Sequence, residues 1–302
     1  CPDGKSTWNQ KGYAHVVCAD TSYEDKIRLY YSARDEKGRC QASFIDLEPD
    51  NISNIIYEHP EPILNLGAPG TFDDCGIMPT WFLQNGDEKW LYYIGWTVRN
   101  TIPYHNALGI ASSKDGIHFT KKFTGPVINT IATEPYFNGS ACFLEHEGKF
   151  KAWYLNCTHW IEDQGKMEPC YHIKYAESND GVNWIRQGQV AIDYRDEVEG
   201  GISRPSVLIE DGIYKMWFSA RAITDYRENR ERSYRIYYAE STDGIHWTRK
   251  DEEVGIDVSE DPNAWDYSMI EYPLVIQHHG RKIMFYNGNH FGQTGVGYAI
   301  ME

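Results

Sequence analysis

One short motif occurs three times at a nearly constant interval. The segments 108–119, 173–184 and 236–247 each contain the pattern Ser-x-Asp-Gly-x-x-aromatic. Their glycines lie about 60 residues apart, a period typical of folds assembled from repeated four-stranded units. Asp-Gly supplies the left-handed residue that a tight hairpin turn requires. We therefore interpret each copy as a hairpin between the outer two strands of a repeat, and not as a catalytic motif.

A second pattern precedes each hairpin: an acidic residue, a strand, a polar turn and a strand rich in aromatic residues. It begins at Asp73, Glu134, Glu199 and Asp266, and a weaker copy begins near Tyr13. No long helical periodicity interrupts these copies. They predict an all-β fold, a five-bladed β-propeller of mostly four-stranded antiparallel blades. No linker or shift in composition divides the chain, so we expect one domain over residues 1–302.

Charge and cysteine usage restrict the partners and the compartment. The net charge of -15, with no basic stripe, argues against nucleic acid. No run approaches the ~18 apolar residues of a spanning helix, so membrane insertion is not expected. Seven cysteines without a C-x-x-C pair are expected to be mostly reduced and buried, which favours the cytoplasm. The chain begins at Cys1, so residues could precede it, and nothing in the sequence specifies an oligomeric state.

Propeller geometry indicates which side chains meet at the channel. The first strand of each blade starts at one mouth, and the second strand returns to that mouth. We expect convergence there of Asp73, Asp74, Glu134, Glu199, Glu271 and Tyr272 from strand starts, of Arg34, Trp96, Arg99, His159, Trp160, Arg221 and His290 from strand ends, and of Arg204 from the segment 201–206. Aromatic rings pack on sugar C–H groups and carboxylates accept hydroxyl protons, so this inventory predicts a carbohydrate site.

The acidic residues in this set could perform catalysis or could be structural. Cleavage of a glycosidic bond requires one protonated and one ionised carboxyl group, and crowded carboxylates drive their pKa values apart to supply both. An acidic residue that opens a strand is also a common turn residue, and Arg34, Arg204 and Arg221 could pair with the carboxylates and hold the mouth rigid. Both interpretations remain open from the sequence.

Motifs for other chemistries are missing. Neither H-E-x-x-H nor a close carboxylate–histidine cluster occurs, so no metal and no other cofactor is predicted. The G-x-S-x-G nucleophile motif and the phosphate-binding loop G-x-x-x-x-G-K-[ST] are also absent.

The repeated Ser-x-Asp-Gly-x-x-Trp hairpins and the strand segment Gly-Ile-Ser-Arg-Pro-Ser at 201–206 carry a family resemblance. From about Tyr13 to Tyr298 the chain resembles the five-bladed propeller glycosidases, the superfamily of arabinanases, xylosidases, invertases and levansucrases, with the related mannoside phosphorylases. The resemblance implies catalytic carboxylates at the starts of inner strands.

By position, the resemblance makes Asp73 or Asp74 the base, Glu134 the modulator and Glu199 the acid. The first blade departs from the pattern, because the segment 9–11 reads Asn-Gln-Lys where an aspartate is expected, and the invertase signature Asn-Asp-Pro-Asn-Gly is missing.

The leading hypothesis is a glycoside hydrolase-like enzyme that cleaves a glycosidic bond with paired carboxylates at the channel mouth. One alternative is a transferase or phosphorylase in which Arg34, Arg221, His159 and His290 bind phosphate or a nucleotide sugar. Another is a non-catalytic carbohydrate-binding propeller. Two carboxylates about 5 to 10 Å apart over an open pocket favour hydrolysis, arginines around an anion favour transfer, and carboxylates locked in salt bridges favour binding alone.

Overall fold

The computed structural model describes residues 6–301, and strands dominate it. Three short turns of helix, Arg230–Arg232, Asp251–Glu253 and Asn289–Gly292, are its helical segments within these residues. The prediction of an all-β fold is confirmed.

The strands form two sheets of eight and one sheet of three. The first sheet contains β1 (His15–Asp20), β2 (Ile27–Arg34), β3 (Cys40–Leu47), β4 (Ile55–Glu58), β5 (Gly76–Asn85), β6 (Glu88–Val98), β7 (Tyr104–Ser113) and β8 (Thr120–Lys121). The second contains β9 (Asn138–His146), β10 (Lys149–Asp163), β11 (Lys166–Ser178), β12 (Val190–Ile192), β13 (Glu199–Glu210), β14 (Ile213–Ala222), β15 (Arg235–Ser241) and β16 (Thr248–Arg249). The third contains β17 (Glu271–His278), β18 (Arg281–Asn287) and β19 (Val296–Met301).

Strand pairing divides each large sheet into two antiparallel groups of four. A single parallel pair joins the halves, Cys40 with Gly76 in the first sheet and Tyr171 with Gly201 in the second. With β17–β19, the described residues thus contain five antiparallel groups. The first strands of these groups contact one another in succession, β1 with β5, β5 with β9, β9 with β13 and β13 with β17, and β17 contacts β1. This closed ring brings five strand starts to one place.

The Asp-Gly motifs lie where the sequence predicts, in the hairpins that lead from β7, β11 and β15 to the outermost strand. In the first copy, Ser113 Oγ accepts hydrogen bonds from the amides of Asp115 and Gly116, and Asp115 Oδ1 accepts from the next two amides. The other two copies repeat these bonds. The motif is a structural turn.

Each Asp-Gly turn also binds the preceding group of strands. The Tyr30 hydroxyl donates to the carbonyl of Gly116 at 2.8 Å, the Tyr92 hydroxyl to Gly181 at 2.8 Å, and Trp153 Nε1 to the next copy, Gly244, at 2.8 Å. One side chain from each of the second strands β2, β6 and β10 therefore ties its group to the hairpin of the next group. Such buried side-chain bonds to carbonyls fix the relative positions of neighbouring groups.

Aromatic side chains of the second strands form much of the packing between groups. The Tyr92 and Phe143 rings stack with centroids 3.8 Å apart. The strand tryptophans Trp90, Trp153 and Trp217 are buried, as the sequence predicts.

The cysteines that the structure describes are free thiols, and all of them except Cys75 are buried. Within residues 6–301, no helix is long and apolar enough to cross a bilayer.

Candidate functional site

A funnel of about 480 Å³ opens where the first strands begin. Every first strand contributes to its wall: His15 from β1, Met78 from β5, Ser140 from β9, Ser203 from β13 and Tyr272 from β17. The expected convergence of strand starts at one mouth is therefore present. The volume is in the range of small-ligand sites.

The funnel wall is aromatic and basic. Four of its side chains belong to the predicted set: Arg34, Trp96, Tyr272 and His290. Six tyrosines face the cavity, namely Tyr13, Tyr104, Tyr171, Tyr226, Tyr234 and Tyr272. No Asp or Glu lies among the described residues that line it. A wall of this kind can pack on sugar rings and donate hydrogen bonds, but it supplies no pair of carboxylates.

The predicted catalytic carboxylate Asp73 is buried away from the funnel. Its side chain is 2% exposed, and Lys121 on β8 lies 2.6 Å from Oδ2. The Tyr93 hydroxyl donates to the same oxygen at 3.1 Å, and the Thr71 hydroxyl donates to Oδ1 at 3.0 Å. Asp73 therefore links the segment before β5 to β8, the outermost strand of the same group.

Glu134 and Glu199 are held in the same way. Glu134 accepts from Arg186 at 2.9 Å, from Lys174 at 3.2 Å and from the Tyr154 hydroxyl at 2.9 Å. Glu199 is bound by Arg249 on β16. Both carboxylates are buried and charge-paired, and neither is among the described residues that line the funnel.

Asp74 is the one predicted catalytic residue that is not fully buried. Its Oδ2 accepts the amide hydrogen of Gly70 at 2.8 Å, within the loop that precedes β5. Although partial burial opposes it, this amide and neighbouring donors hold the pKa of Asp74 below its usual range. The residue is an ionised loop carboxylate and does not line the funnel.

Three further predicted binding residues lie around the funnel without lining it. Arg99 lines a separate cavity of about 500 Å³ at the rim. His159 is exposed, and its Nδ1 lies 2.9 Å from the Thr158 hydroxyl. Trp160 packs behind the wall, with its ring centroid 5.6 Å from that of Tyr104.

Arg204 and Arg221, predicted to bind substrate, are buried behind the wall. Arg204 is fully buried and donates to the carbonyl of Thr80 on β5 at 2.7 Å and to that of Val17 on β1. It therefore crosses the channel from β13 and ties three first strands together. Burial lowers the pKa of Arg204 to about 10, which leaves it charged at neutral pH.

Arg221 is also buried behind the funnel wall and, like Arg204, donates hydrogen bonds to backbone carbonyls. Its guanidinium donates to the carbonyls of Pro169 and Ala222, at 2.7 and 2.8 Å, and lies 3.7 Å from the centroid of Tyr226. Neither Arg221 nor Arg204 forms an ion pair with a carboxylate of residues 6–301. Within residues 6–301, the strand-start acids pair with Lys121, Lys174, Arg186 and Arg249, and not with Arg204 or Arg221 as one sequence interpretation allowed.

Arg34 is the predicted arginine that faces the cavity. Its guanidinium carbon lies 5.0 Å from the centroid of Tyr13, and its buried Nε has no hydrogen-bond partner among residues 6–301. Arg227 also lines the funnel, but it is bound to the buried carboxylate of Glu168. The charges that remain unmatched at the funnel are therefore positive, in a protein whose net charge is strongly negative.

His15 and Cys40 form a polar pair on the wall. His15 Nε2 lies 3.7 Å from Cys40 Sγ. Burial and the nearby charge of Arg34 lower the pKa of His15 to about 3, and burial raises the pKa of the Cys40 thiol. The pair is therefore neutral near pH 7 and does not offset the charge of Arg34.

Glu271 lies directly behind the wall, next in sequence to Tyr272. It is fully buried, and neither carboxylate oxygen makes a hydrogen bond of ordinary geometry with any part of residues 6–301. Burial raises the pKa of Glu271 well above its usual range, with Tyr272, Arg227 and Arg221 acting in the opposite direction. Glu271 is not among the described residues that line the funnel, but it adjoins the lining residue Tyr272, and its burial favours the protonated form.

Sequence reasoning missed several wall residues. Tyr13 precedes β1, whereas Tyr226, Arg227 and Tyr234 come from the long connection between β14 and β15. Phe291 lies in the turn after β18, where it and His290 both have left-handed backbone. Loop residues carry no strand periodicity, so the repeat pattern offered no signal for them.

Comparison with known proteins gives relatives of matching length. Two uncharacterized proteins of Mycobacterium tuberculosis, from strains CDC 1551 and H37Rv, are each 35% identical over 301 residues, covering 100% of this chain and 96% of the relative. No family model matches the chain.

Several solved structures share the fold. A thermostable family-43 glycoside hydrolase has a TM-score of 0.71 at 14% identity, covering 95% of this chain and 88% of that chain. A member of the GH130 family of mannoside phosphorylases, a family described as containing glycoside hydrolases for β-1,2 mannosidic linkages, has 0.69 at 15%, covering 96% and 84%. A GH32 β-fructofuranosidase of Bombyx mori has 0.64 at 16%, covering 99% and 64%. The predicted resemblance to the propeller glycosidase superfamily is thus confirmed at the level of the fold.

Proposed function

We propose that this protein, which belongs to one family with the two Mycobacterium tuberculosis proteins, is a carbohydrate-active enzyme. In this proposal it transfers a glycosyl group to or from phosphate. The five antiparallel groups would be the five blades of a single propeller, and the funnel would hold the sugar. Of the three sequence hypotheses, this one corresponds to the phosphorylase or transferase alternative.

One observation carries the proposal: the described funnel wall has arginine but no carboxylate. Arg34 faces the cavity, and Arg204 and Arg221 lie behind the wall, where neither forms an ion pair with a carboxylate of residues 6–301. An uncompensated cation in a partly desolvated cavity favours an anionic ligand, and a guanidinium binds phosphate oxygens well. Six tyrosines and Trp96 supply surfaces for sugar rings.

Hydrolysis by paired carboxylates is less consistent with this geometry. Asp73, Glu134 and Glu199 are each paired with a lysine or an arginine, and Asp74, the alternative base, is not among the described residues that line the funnel, so none of them is placed to activate water there. The same observation favours a second candidate, a propeller that binds carbohydrate without cleaving it.

The test is to incubate the protein with oligosaccharides, aryl glycosides and nucleotide sugars, with and without inorganic phosphate. We expect formation of a sugar phosphate that depends on phosphate, and a loss of at least tenfold in phosphate affinity in Arg34→Gln. Arg281→Gln is the control, because Arg281 lies on the hairpin at the opposite end of β17 and β18. Release of free sugar at a rate independent of phosphate, unchanged in Arg34→Gln, would overturn the proposal.

Calorimetric titration with the same sugars separates the binding-only candidate. Oligosaccharide binding to the funnel without turnover of any substrate would favour the non-catalytic propeller. Quenching of Trp96 fluorescence, absent in Trp96→Phe, would place the ligand in the funnel.

A further inference from the structure

Glu271 is a buried acid whose environment calls for an explanation. It opens β17, the first strand of the fifth group, and its backbone pairs with Asn287. Its side chain is fully buried, and its oxygens lack well-formed hydrogen bonds. Leaving a buried polar group unsatisfied is destabilising, so such groups are rare in folded proteins.

The next residue connects this acid to the cavity. Tyr272 lines the funnel, with its ring centroid 6.0 Å from that of Tyr234. Burial raises the pKa of the Glu271 carboxyl group, and Tyr272 acts in the opposite direction by favouring the charged carboxylate. Tyr272 also has a φ of 58°, in the left-handed region that aromatic residues rarely adopt. Strain of this kind concentrates at functional sites.

The backbone around Tyr272 is fixed in this conformation. Its amide donates to the Ser219 hydroxyl on β14 at 2.7 Å. The pairing of β17 with β18 shifts register between Glu271 and Leu274, so a bulge turns the strand at this point. The bulge places Tyr272 on the wall while Glu271 stays behind it.

We propose that Glu271 is the proton source of the funnel and that it acts through the hydroxyl of Tyr272. This inference rests on the proposed glycosyl transfer to phosphate. In this proposal Tyr272 is the residue that contacts the substrate. Glu271 is a positioning residue, which returns a proton to the Tyr272 hydroxyl after each transfer.

With inorganic phosphate as co-substrate, the step balances in atoms and protons. The bond between the anomeric carbon and the leaving oxygen breaks, and the leaving oxygen takes the proton of the Tyr272 hydroxyl. Glu271 returns a proton to Tyr272, and a phosphate oxygen bonds to the anomeric carbon. The Glu271 carboxylate regains its proton from the phosphate or from water, so one glycoside and one phosphate yield one sugar phosphate and one alcohol.

The groups around this pair fit the role. Burial favours the neutral acid, whereas the guanidiniums of Arg221 and Arg227 moderate that preference and stabilise the carboxylate formed after transfer. Besides Glu271, the tyrosines Tyr104, Tyr171 and Tyr226 act to raise the pKa of Tyr272. No other acid acts on Glu271 among the groups that set its pKa.

The first experiment needs no substrate. Infrared difference spectra of wild type and Glu271→Gln at pH 7 are expected to show one protonated carboxyl band that is present only in wild type and shifts in Tyr272→Phe. An ionised Glu271, or a band insensitive to Tyr272→Phe, would overturn the inference and leave the proposed function untouched.

The second experiment compares leaving groups in the presence of phosphate. We expect Glu271→Gln and Tyr272→Phe each to lower kcat on a sugar–sugar linkage by about 10²-fold or more. Each variant should also lose the alkaline limb of the pH profile. Both should retain near-normal rates on a dinitrophenyl glycoside, because its leaving oxygen needs no proton. Glu210→Gln, a paired carboxylate at the far end of β13, is the matched control.

The outcomes separate the two ideas. Wild-type turnover with equal losses on both leaving groups would mean that the variants only disturb the structure, and would overturn the proton relay alone. An enzyme that turns over no glycoside with phosphate would overturn the relay together with the proposed function.

Discussion

Arg249 grips both carboxylate oxygens of Glu199, at 2.7 and 3.1 Å, and thereby joins the start of β13 to β16. The pair is buried, with the glutamate side chain 4% exposed. A forked guanidinium–carboxylate pair fixes both position and orientation. Glu199, which the family resemblance designates as the acid, therefore links the innermost strand of its group, β13, to the outermost strand, β16.

Substitution of Glu199 should affect stability before function. Removing one member of a buried pair leaves an uncompensated charge, so Glu199→Gln should lower the free energy of unfolding by about 3 kcal/mol. Urea denaturation measures this. The double variant with Arg249→Met should recover part of the loss, and phosphate affinity should stay within about twofold of wild type. Normal stability with lost turnover would instead indicate a catalytic Glu199.

Arg204 should stabilise the ring of first strands. Arg204→Met leaves the carbonyls of Thr80 and Val17 without this donor, and we expect a loss of about 2 kcal/mol or more in unfolding free energy. Arg34→Met, which removes a guanidinium from the wall without breaking such bonds, is the comparison and should change stability little. Both variants should weaken phosphate binding; an Arg204→Met protein as stable as wild type would contradict the tie across the channel.

His15 should make the fold sensitive to mild acid. Its pKa is about 3 in the folded protein and 6.5 in an unfolded chain. Between these values the unfolded chain binds more protons, so this group reduces stability as the pH falls from about 6.5 toward 3. His15→Asn should remove about 2 kcal/mol of the loss between pH 7 and pH 5. Denaturation curves at the two pH values provide the measurement, and identical slopes in both proteins would refute it.

Glu271 should have the opposite pH dependence. Its folded pKa is raised, so its contribution is present below the unfolded value near 4.5 and is lost as the pH rises through the folded pKa. Glu271→Gln should therefore raise Tm by a few degrees at pH 8 and change it little at pH 4. A lower Tm at pH 8 would indicate an ionised, well-paired Glu271.

The Asp-Gly hairpins allow a matched test of packing. Gly181 and Gly148 have nearly the same φ, 71° and 73°, but a Cβ on Gly181 would meet Trp90 and Tyr92 at 2.8 and 2.9 Å, whereas nothing lies within 4 Å at Gly148. Gly148→Ala should bear only the left-handed backbone cost, roughly 1–2 kcal/mol. Gly181→Ala should cost about 1–3 kcal/mol more, because the contact between groups must open. Equal losses in thermal unfolding would argue against that contact.

The amino-acid sequence determined the repeat, the all-β fold, the hairpin role of Asp-Gly and the mouth at which strand starts converge. These features depend on local rules, strand alternation and turn conformation, which act over a few residues. The predicted residues that line the funnel, such as Arg34 and Trp96, lie near strand ends whose position follows from the repeat.

Only the tertiary structure decided which charged groups pair with the strand-start acids Asp73 and Glu199. Lys121 reaches Asp73 from 48 residues away, and Arg249 reaches Glu199 from 50 residues away. Which charge meets which depends on how the outermost strand folds back over its group, and no local pattern encodes that distance. The same holds for the tyrosines of the funnel, which loops bring to the wall. A motif can thus place a carboxylate at a strand start, but long-range pairing determines whether it is free to react.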